Sequence, residues 1–313
     1  MNQLGRTVLS LLLFVALISM VASHAWSADR FVFVKDGAVW IAATDGTEVR
    51  QLTSSREDAE PALSPDGQRV VYHSGHNERT GYGQLYLLPT GGDSPKQLQF
   101  AGIEGAEHAS FSPDGKSLLF VALSDSRLRG TGDAAVTYAT MSVVVADLAT
   151  GRVRTVIKTP HVMLDAGYVY SAPSFSSDGK LIAYQSSGSD VSGGFAVITL
   201  EGKSLFRFPR KVSDPTPFWR PRFSPDGKNI LCYSPATSEP GSDIIYLVNL
   251  ATGTKKKVTE GANGTFVEGG KAIIFERWLN KWADGARPAL FYLDMTKGAQ
   301  PKRLTMDASQ PSG

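Results

Sequence analysis

The chain has almost no cysteine, and its charges nearly cancel. Its one cysteine among 313 residues, Cys232, lies in a strand-like run and is interpreted as a small buried hydrophobic residue. A single cysteine excludes an internal disulfide, so the fold must depend on packing, which a hydrophobic content of 42% makes feasible. The formal net charge of +2 argues against a nucleic-acid partner, because such partners bind strongly basic surfaces.

Several catalytic motifs are also missing. There is no Gly-x-Ser-x-Gly nucleophile elbow, no phosphate-binding glycine-rich loop before a helix, and no calcium loop of alternating Asp and Asn. His73 and His76 have a spacing that some metal sites use, but neither a cysteine nor an acidic pair accompanies them. We therefore expect no metal and no cofactor.

Long apolar runs are confined to the N-terminus. Arg6 precedes an apolar run of fifteen residues, Val8 to Ala22, and the small residues Ser23 and Ala25 are spaced for cleavage after Ala25. This pattern predicts a secretory signal peptide over residues 1–25. The run is shorter than the ~20 residues that span a bilayer, although an uncleaved anchor remains the alternative. Export without disulfides predicts a soluble periplasmic protein of a bacterium.

What the sequence does contain is a repeat. Ser-Pro-Asp-Gly, or Ser-Ser-Asp-Gly, recurs with its first serine at positions 64, 112, 176 and 224. A fifth, degenerate copy surrounds Phe266. Serine can accept a local hydrogen bond, proline presets φ, and glycine takes the left-handed position, which together predict a tight hairpin turn. We interpret the repeated aspartates as turn residues rather than catalytic ones: Asp66, Asp114, Asp178 and Asp226.

Each copy continues with an alternating apolar strand, a Gly-containing turn and a final strand. A unit is therefore four antiparallel strands, which is one propeller blade. The sequence predicts an all-β, six-bladed propeller in which the C-terminal residues 309–313 pair with Arg30–Lys35 and close blade 1. The predicted blades, within one domain of residues 26–313, are 30–53 with 309–313, 60–99, 108–157, 172–208, 219–259 and 264–305.

These repeats resemble those of TolB-type six-bladed propellers. The resemblance rests on "FSPDGK", "IAYQSS" and "IYLVNLATG" with a following "KKVT", and it covers residues 30–313. It implies a periplasmic protein that binds an envelope protein, such as a peptidoglycan-associated lipoprotein. TolB proper carries an α/β domain before its propeller, whereas here the propeller begins soon after the predicted signal peptide. Similar repeats occur in peptidase propeller domains and in some polysaccharide lyases.

The connections between strands differ in length. All tight turns should share one face of the propeller, and the long connections, including residues 124–140 and 158–171, should share the other. Binding groups tend to lie on long loops held by a rigid scaffold, so we predict that the long-loop face is the working face. Side-chain alternation predicts that the channel interior is lined by Ala62, Ser110, Ser174, Arg222 and Thr265. It predicts a ring at the channel mouth on the long-loop face: Glu60, His108, Ala172, Arg220, Asn263 and Gln310.

Aromatic and arginine residues in or beside the long loops are further binding candidates, because these residue types anchor protein interfaces. They are Arg127, Arg129, Tyr168, Tyr170, Trp219, Arg277, Trp278 and Trp282.

Two functions remain open from the sequence. The first is a monomeric, non-enzymatic propeller that binds an envelope protein or peptide, favoured because no catalytic constellation is visible. The second is a glycan-acting lyase or hydrolase, which would need a base beside an acid at the channel mouth. Candidate bases are His108 and His161, and candidate acids are Glu60, Glu107 and Asp165. A scaffold without a ligand is a third interpretation.

Overall fold

The computed structural model describes residues 30–75, 81–130, 136–164, 170–188, 191–209, 217–237, 241–279, 288–296, 298–305 and 309–312. These residues form twenty-four strands and one short 3-10 helix, Glu268–Gly270. Within them, no helix has the length and apolar character that crossing a membrane requires. The predicted signal peptide, Tyr168 and Trp282 lie outside the described residues.

The strands form six antiparallel four-stranded sheets, which are the six blades of a propeller. Blade 1 has β1 (Arg30–Lys35), β2 (Ala38–Ala43) and β3 (Arg50–Gln51), and blade 2 has β4 (Ala59–Leu63), β5 (Arg69–Ser74), β6 (Gln84–Pro89) and β7 (Lys96–Gln97). Blade 3 has β8 (Gly105–Phe111), β9 (Ser117–Arg129), β10 (Val136–Asp147) and β11 (Val153–Met163).

The second half of the chain repeats the same arrangement. Blade 4 has β12 (Tyr170–Phe175), β13 (Leu181–Gly188), β14 (Val191–Thr199) and β15 (Ser204–Phe208). Blade 5 has β16 (Trp219–Phe223), β17 (Asn229–Pro235), β18 (Asp243–Asn249) and β19 (Lys255–Glu260). Blade 6 has β20 (Ala262–Val267), β21 (Ala272–Trp278), β22 (Pro288–Asp294) and β23 (Lys302–Thr305), and the chain ends in β24 (Ser309–Ser312).

The two ends of the described chain meet in blade 1. β24 pairs antiparallel with β1, placing Val32 opposite Ser312 and Val34 opposite Ser309, so that the strand order is β24-β1-β2-β3. This arrangement confirms the predicted fold and the predicted closure of the ring. Because β24 occupies the innermost edge, blade 1 has the same four-strand form as the other blades.

The repeated turn is held by its own side chains. In the blade 5 copy, Ser224 Oγ donates to Asp226 Oδ1 and accepts from the Asn229 amide, while the Gly227 amide donates to the Ser224 carbonyl. Gly227 has φ of 69°, which glycine adopts at little cost. The hydrogen bond from Ser224 lowers the pKa of Asp226, and the Asp226 carboxylate therefore stabilises the turn.

Two predicted loops are partly strand: residues 158–163 of the predicted loop 158–171 belong to β11, and residues 124–140 are the larger case. The segment 124–140 was expected to be a long connection, but β9 and β10 extend far beyond the neighbouring strands and pair as far as Arg129 with Val136. We call its described residues, 124–130 and 136–140, the blade 3 arm. The arm belongs to the connection between the second and third strands, which places it on the long-loop face.

Hydrophobic contacts between neighbouring blades form the core. Phe111 packs in a cluster that joins blade 2 residues such as Val71 to blade 3 residues such as Phe120, and Phe223 packs in one that joins blades 4 and 5. Cys232 lies in the second of these clusters with 2% of its surface exposed. These contacts fix the innermost strands and therefore the side chains that line the channel.

Candidate functional site

The innermost strand of five blades contains the same backbone irregularity. One residue in each has a left-handed φ, between 47° and 56°, which is uncommon for residues other than glycine. Strand pairing is also interrupted at this point; in blade 2 it passes from Ala59 opposite His73 directly to Ala62 opposite Val71. Such bulges redirect a side chain. The five residues are Glu60, His108, Ala172, Arg220 and Asn263.

Three of these side chains meet in the channel. The Glu60 carboxylate accepts a hydrogen bond from Arg220 Nη2 and contacts His108 Nδ1. His73 Nδ1, on the neighbouring strand of blade 2, lies 3.8 Å from the same carboxylate. Glu60 belongs to blade 2 and Arg220 to blade 5, which are opposite blades of a six-blade ring. We call Glu60, His108 and Arg220 the channel cluster; it bridges the channel at its long-loop end.

The channel cluster is shielded from water. The side chains of Glu60, His108 and Arg220 are 10%, 12% and 20% exposed. Burial alone would raise the pKa of Glu60, but the charges of His108 and Arg220 outweigh burial and hold it well below its usual range. Burial opposes the charge of Arg220, yet Glu60 raises the pKa of this guanidinium. Glu60 and Arg220 are therefore a charged pair at neutral pH.

A cavity extends from the channel cluster to the tight-turn face. Its empty volume is about 1340 Å³, including open solvent, and turn residues such as Pro65, Pro113 and Gly269 line its far end. Arg222 lies one level below the channel cluster and donates from Nη1 to the Ala172 carbonyl at 3.3 Å. Burial, together with the charge of Arg220, lowers the pKa of Arg222 to about 10, so it remains protonated at neutral pH.

The structure thus brings together four of the predicted site residues: Glu60, His108, Arg220 and Arg222. Asn263 occupies the equivalent bulge of blade 6. Gln310 lies on β24 at the inner edge of blade 1, where its backbone alone is described. Among the described residues, no group of three or more His, Cys, Asp or Glu side chains is placed to hold a metal ion.

Other candidates make contacts within the scaffold. Arg277 ties blade 6 to blade 5 through Nε to the Glu260 carbonyl at 3.0 Å and Nη2 to Thr259 Oγ1 at 2.7 Å. The Trp278 ring packs closely against Gly241 of blade 5, where an added Cβ would approach it to 2.8 Å.

Two aromatic candidates are held in the same way. The Trp219 ring packs edge-on against Tyr233, with ring centroids 5.4 Å apart. The Tyr170 hydroxyl is 2.6 Å from Thr159 Oγ1, and its ring packs edge-on against Tyr184.

Arg127 and Arg129 are placed differently: both side chains are exposed on the blade 3 arm. The Arg129 guanidinium lies over the Tyr138 ring, 5.3 Å from its centroid, and Leu128 between the two arginines is 59% exposed. The arm therefore presents cationic and apolar groups to solvent.

Solved structures share this architecture. TolB from Acinetobacter baumannii aligns with a TM-score of 0.67 and 21% identity, covering 92% of this chain and 67% of that one. The chain has the TolB-like six-bladed propeller fold. A putative TolB from Agrobacterium tumefaciens aligns with a TM-score of 0.63 and 16% identity over 90% of this chain and 91% of that one.

The TolB-like fold is shared with an enzyme of known structure. An oligogalacturonate lyase in complex with manganese aligns with a TM-score of 0.54 and 15% identity, over 86% of this chain and 70% of that one. No known family profile matches the sequence, and no curated protein matches it. Sequence identities this low show that the fold is shared and do not show a shared function. The function is therefore inferred from the channel and from the two faces of the propeller.

Proposed function

We propose that the chain is a non-enzymatic binding module of the bacterial cell envelope, exported to the periplasm, that holds a protein or peptide on its long-loop face. The observation that carries this proposal is the channel cluster. Glu60 and Arg220 bridge the channel at its long-loop end, so the centre of this face is spanned by a fixed ion pair against which a partner can dock. The two charges already satisfy each other, so neither is left unpaired when a partner docks.

The blade 3 arm provides the attachment point on this face. Arg127 and Arg129 are exposed, and the exposed Leu128 between them adds apolar surface. Arginine and aromatic residues contribute strongly to protein interfaces, and here Arg129 is already positioned by Tyr138. The partner class is an envelope protein or peptide such as a peptidoglycan-associated lipoprotein, and the chain acts as a monomer.

A direct binding measurement tests the proposal. The chain without residues 1–25 is titrated with the soluble domain of the peptidoglycan-associated lipoprotein from the same bacterium, in parallel with R127E/R129E. The matched control is K116E/K180E, which reverses two exposed charges on the tight-turn face. We expect the arm variant to bind at least about tenfold more weakly while the control binds like the wild type. Equal affinity for both variants, or no binding to the wild type, would contradict the proposal.

A glycan-acting lyase or hydrolase is the second candidate function. Contact between His108 Nδ1 and the Glu60 carboxylate favours it, because a carboxylate commonly orients a histidine that acts as a base. Against it, Arg220 engages the same carboxylate, and His108 is only 12% exposed. Incubating acidic polysaccharides with the wild type and with H108Q, and measuring the products, distinguishes the two candidate functions. We expect no difference in unsaturated or reducing-end products; turnover that H108Q abolishes would favour the enzyme.

A further inference from the structure

Arg222 is a cation in the channel without a carboxylate to balance it. Among the described residues, no carboxylate oxygen lies within 4 Å of its guanidinium, whereas Glu60 is engaged by Arg220 and His108. Glu268, at the tight-turn end, accepts a hydrogen bond from the Tyr292 hydroxyl. A guanidinium has five N–H donors, and the bond to the Ala172 carbonyl uses one of them. Arg222 therefore has both charge and donors available for a ligand.

The walls beside Arg222 offer few further donors. Ser110 and Ser174 stand at the same level, but their hydroxyls donate to the Pro173 and Pro221 carbonyls at 3.1 and 2.9 Å. These bonds link neighbouring blades and commit both hydroxyl protons. Ala62 and Phe223 contribute apolar surface to the same cavity. A ligand at this level would meet one cation, serine hydroxyls already engaged with carbonyls, and the apolar side chains of Ala62 and Phe223.

Access to Arg222 is from the tight-turn face. The channel cluster bridges the opposite end, whereas turn residues such as Pro65, Pro113 and Ser177 line the end away from it. This entrance lies opposite the face used in the proposed function, so the two sites are independent.

We propose that the channel binds a monocarboxylate with an apolar body, which enters from the tight-turn face and places its carboxylate on the Arg222 guanidinium. The planar fork of arginine matches a carboxylate with two parallel hydrogen bonds. The single positive charge of Arg222 matches the single negative charge of a monoanion. A dianion such as phosphate would bring a second negative charge into the channel with no cation to pair with it. The carboxylate can belong to a small organic acid or to the C-terminus of a peptide.

Calorimetric titration of the chain without residues 1–25 tests this site. The probes are hexanoate, the neutral hexanamide and inorganic phosphate, and the proteins are the wild type, R222Q and R152Q. Arg152 is an exposed arginine on the same face, so R152Q makes the same charge change away from the channel. We expect hexanoate to bind the wild type and R152Q alike and to bind R222Q at least tenfold more weakly, with no binding of hexanamide.

Three outcomes would overturn the inference: hexanoate that fails to bind the wild type, hexanoate that binds R222Q as tightly as the wild type, or phosphate that binds as tightly as hexanoate. If R222Q does not fold, R222K replaces it, because it keeps the charge and loses the planar fork; unchanged affinity in R222K would then count against the site.

The source of the carboxylate is tested separately with a short apolar peptide that has a free or an amidated C-terminus. Tighter binding of the free-acid peptide than of hexanoate assigns the site to peptide termini, and the reverse order assigns it to small acids. R127E/R129E should bind hexanoate like the wild type, so failure of the proposed function and failure of this site remain distinguishable.

Discussion

Glu60 and Arg220 are 160 positions apart in the sequence and lie on opposite blades, yet their side chains form an ion pair across the channel. Among the described strands, blades 2 and 5 share no pairing, so this ion pair links parts of the ring that the sheets do not connect. His108 reaches the same carboxylate from blade 3. Buried charges are tolerated when they are paired and hydrogen-bonded, and the channel cluster meets that condition.

His73 should make the protein sensitive to mild acid. Burial lowers the pKa of His73 below its ordinary value of 6.5, and this effect outweighs the charges of Glu60 and Glu107, which raise it. The folded protein therefore binds a proton at His73 less readily than the unfolded chain does. As the pH falls through 6.5, protonation favours the unfolded chain and the free energy of unfolding should decrease until the folded pKa is passed.

Urea unfolding of the wild type and H73Q, repeated at several pH values from about 7.5 to about 5.5, checks this dependence. H73Q cannot titrate at this position and should show the flatter profile. Glu60 contributes little to the change between these pH values. Its pKa is lower in the folded protein than in the unfolded chain, where it is near 4.5, so the stability that it contributes is lost only as the pH falls through 4.5 and below. An equally steep profile in H73Q would show that His73 is not responsible.

Replacing Ala172 with glycine should leave the free energy of unfolding almost unchanged or raise it. Ala172 has φ of 47°, a conformation that costs an L-residue about 1–2 kcal/mol and glycine almost nothing. We expect A172G to have a free energy of unfolding equal to the wild type or up to about 1 kcal/mol higher. The control A183G changes a buried alanine of β13 in the same blade and should lose about 1 kcal/mol. Similar losses in both variants would argue against backbone strain at the bulge.

Removal of residues 306–313 should open the ring. β1 would lose the partner that faces Val32 and Val34, and an unpaired strand edge promotes association between chains. We expect a lower melting temperature and oligomers in light scattering after size exclusion. The control lacks only Gly313 and keeps every residue of β24. A truncated chain that remains monomeric with the wild-type melting temperature would refute the closure by β24.

The fold could be predicted because its signals are local and repeated. The turn around Ser224, Asp226 and Gly227 needs those residue types in that order, and its copies mark the hairpins of four blades. The blade 3 arm was missed because its polar residues alternate little, although the backbone pairs Arg129 with Val136. The buried positions of the arm are Ser126, Thr137 and Ala139, which are polar or small, so hydrophobic periodicity gave no signal for it.

The candidate site could be predicted only in part. Side-chain alternation placed Glu60, His108, Arg220 and Arg222 around the channel, but it did not indicate the left-handed backbone, because glutamate, histidine and arginine have no preference for it. Of the five bulge residues, Asn263 alone has such a preference. Opposite charges at equivalent positions of the second and fifth repeats were the available signal for the Glu60–Arg220 pair, since these repeats face each other in a six-blade ring.

A double-mutant cycle on Glu60 and Arg220 tests most directly whether the channel cluster bridges the channel. The free energy of unfolding is measured for the wild type, E60Q, R220Q and E60Q/R220Q at neutral pH. Each single variant leaves a buried charge without its partner across the channel and should lose about 3–5 kcal/mol, although Glu60 keeps its contact with His108 in R220Q. The double variant should lose clearly less than the sum of the two single losses. Losses that simply add would mean that the two side chains do not interact, and the closed long-loop end of the channel would have to be abandoned.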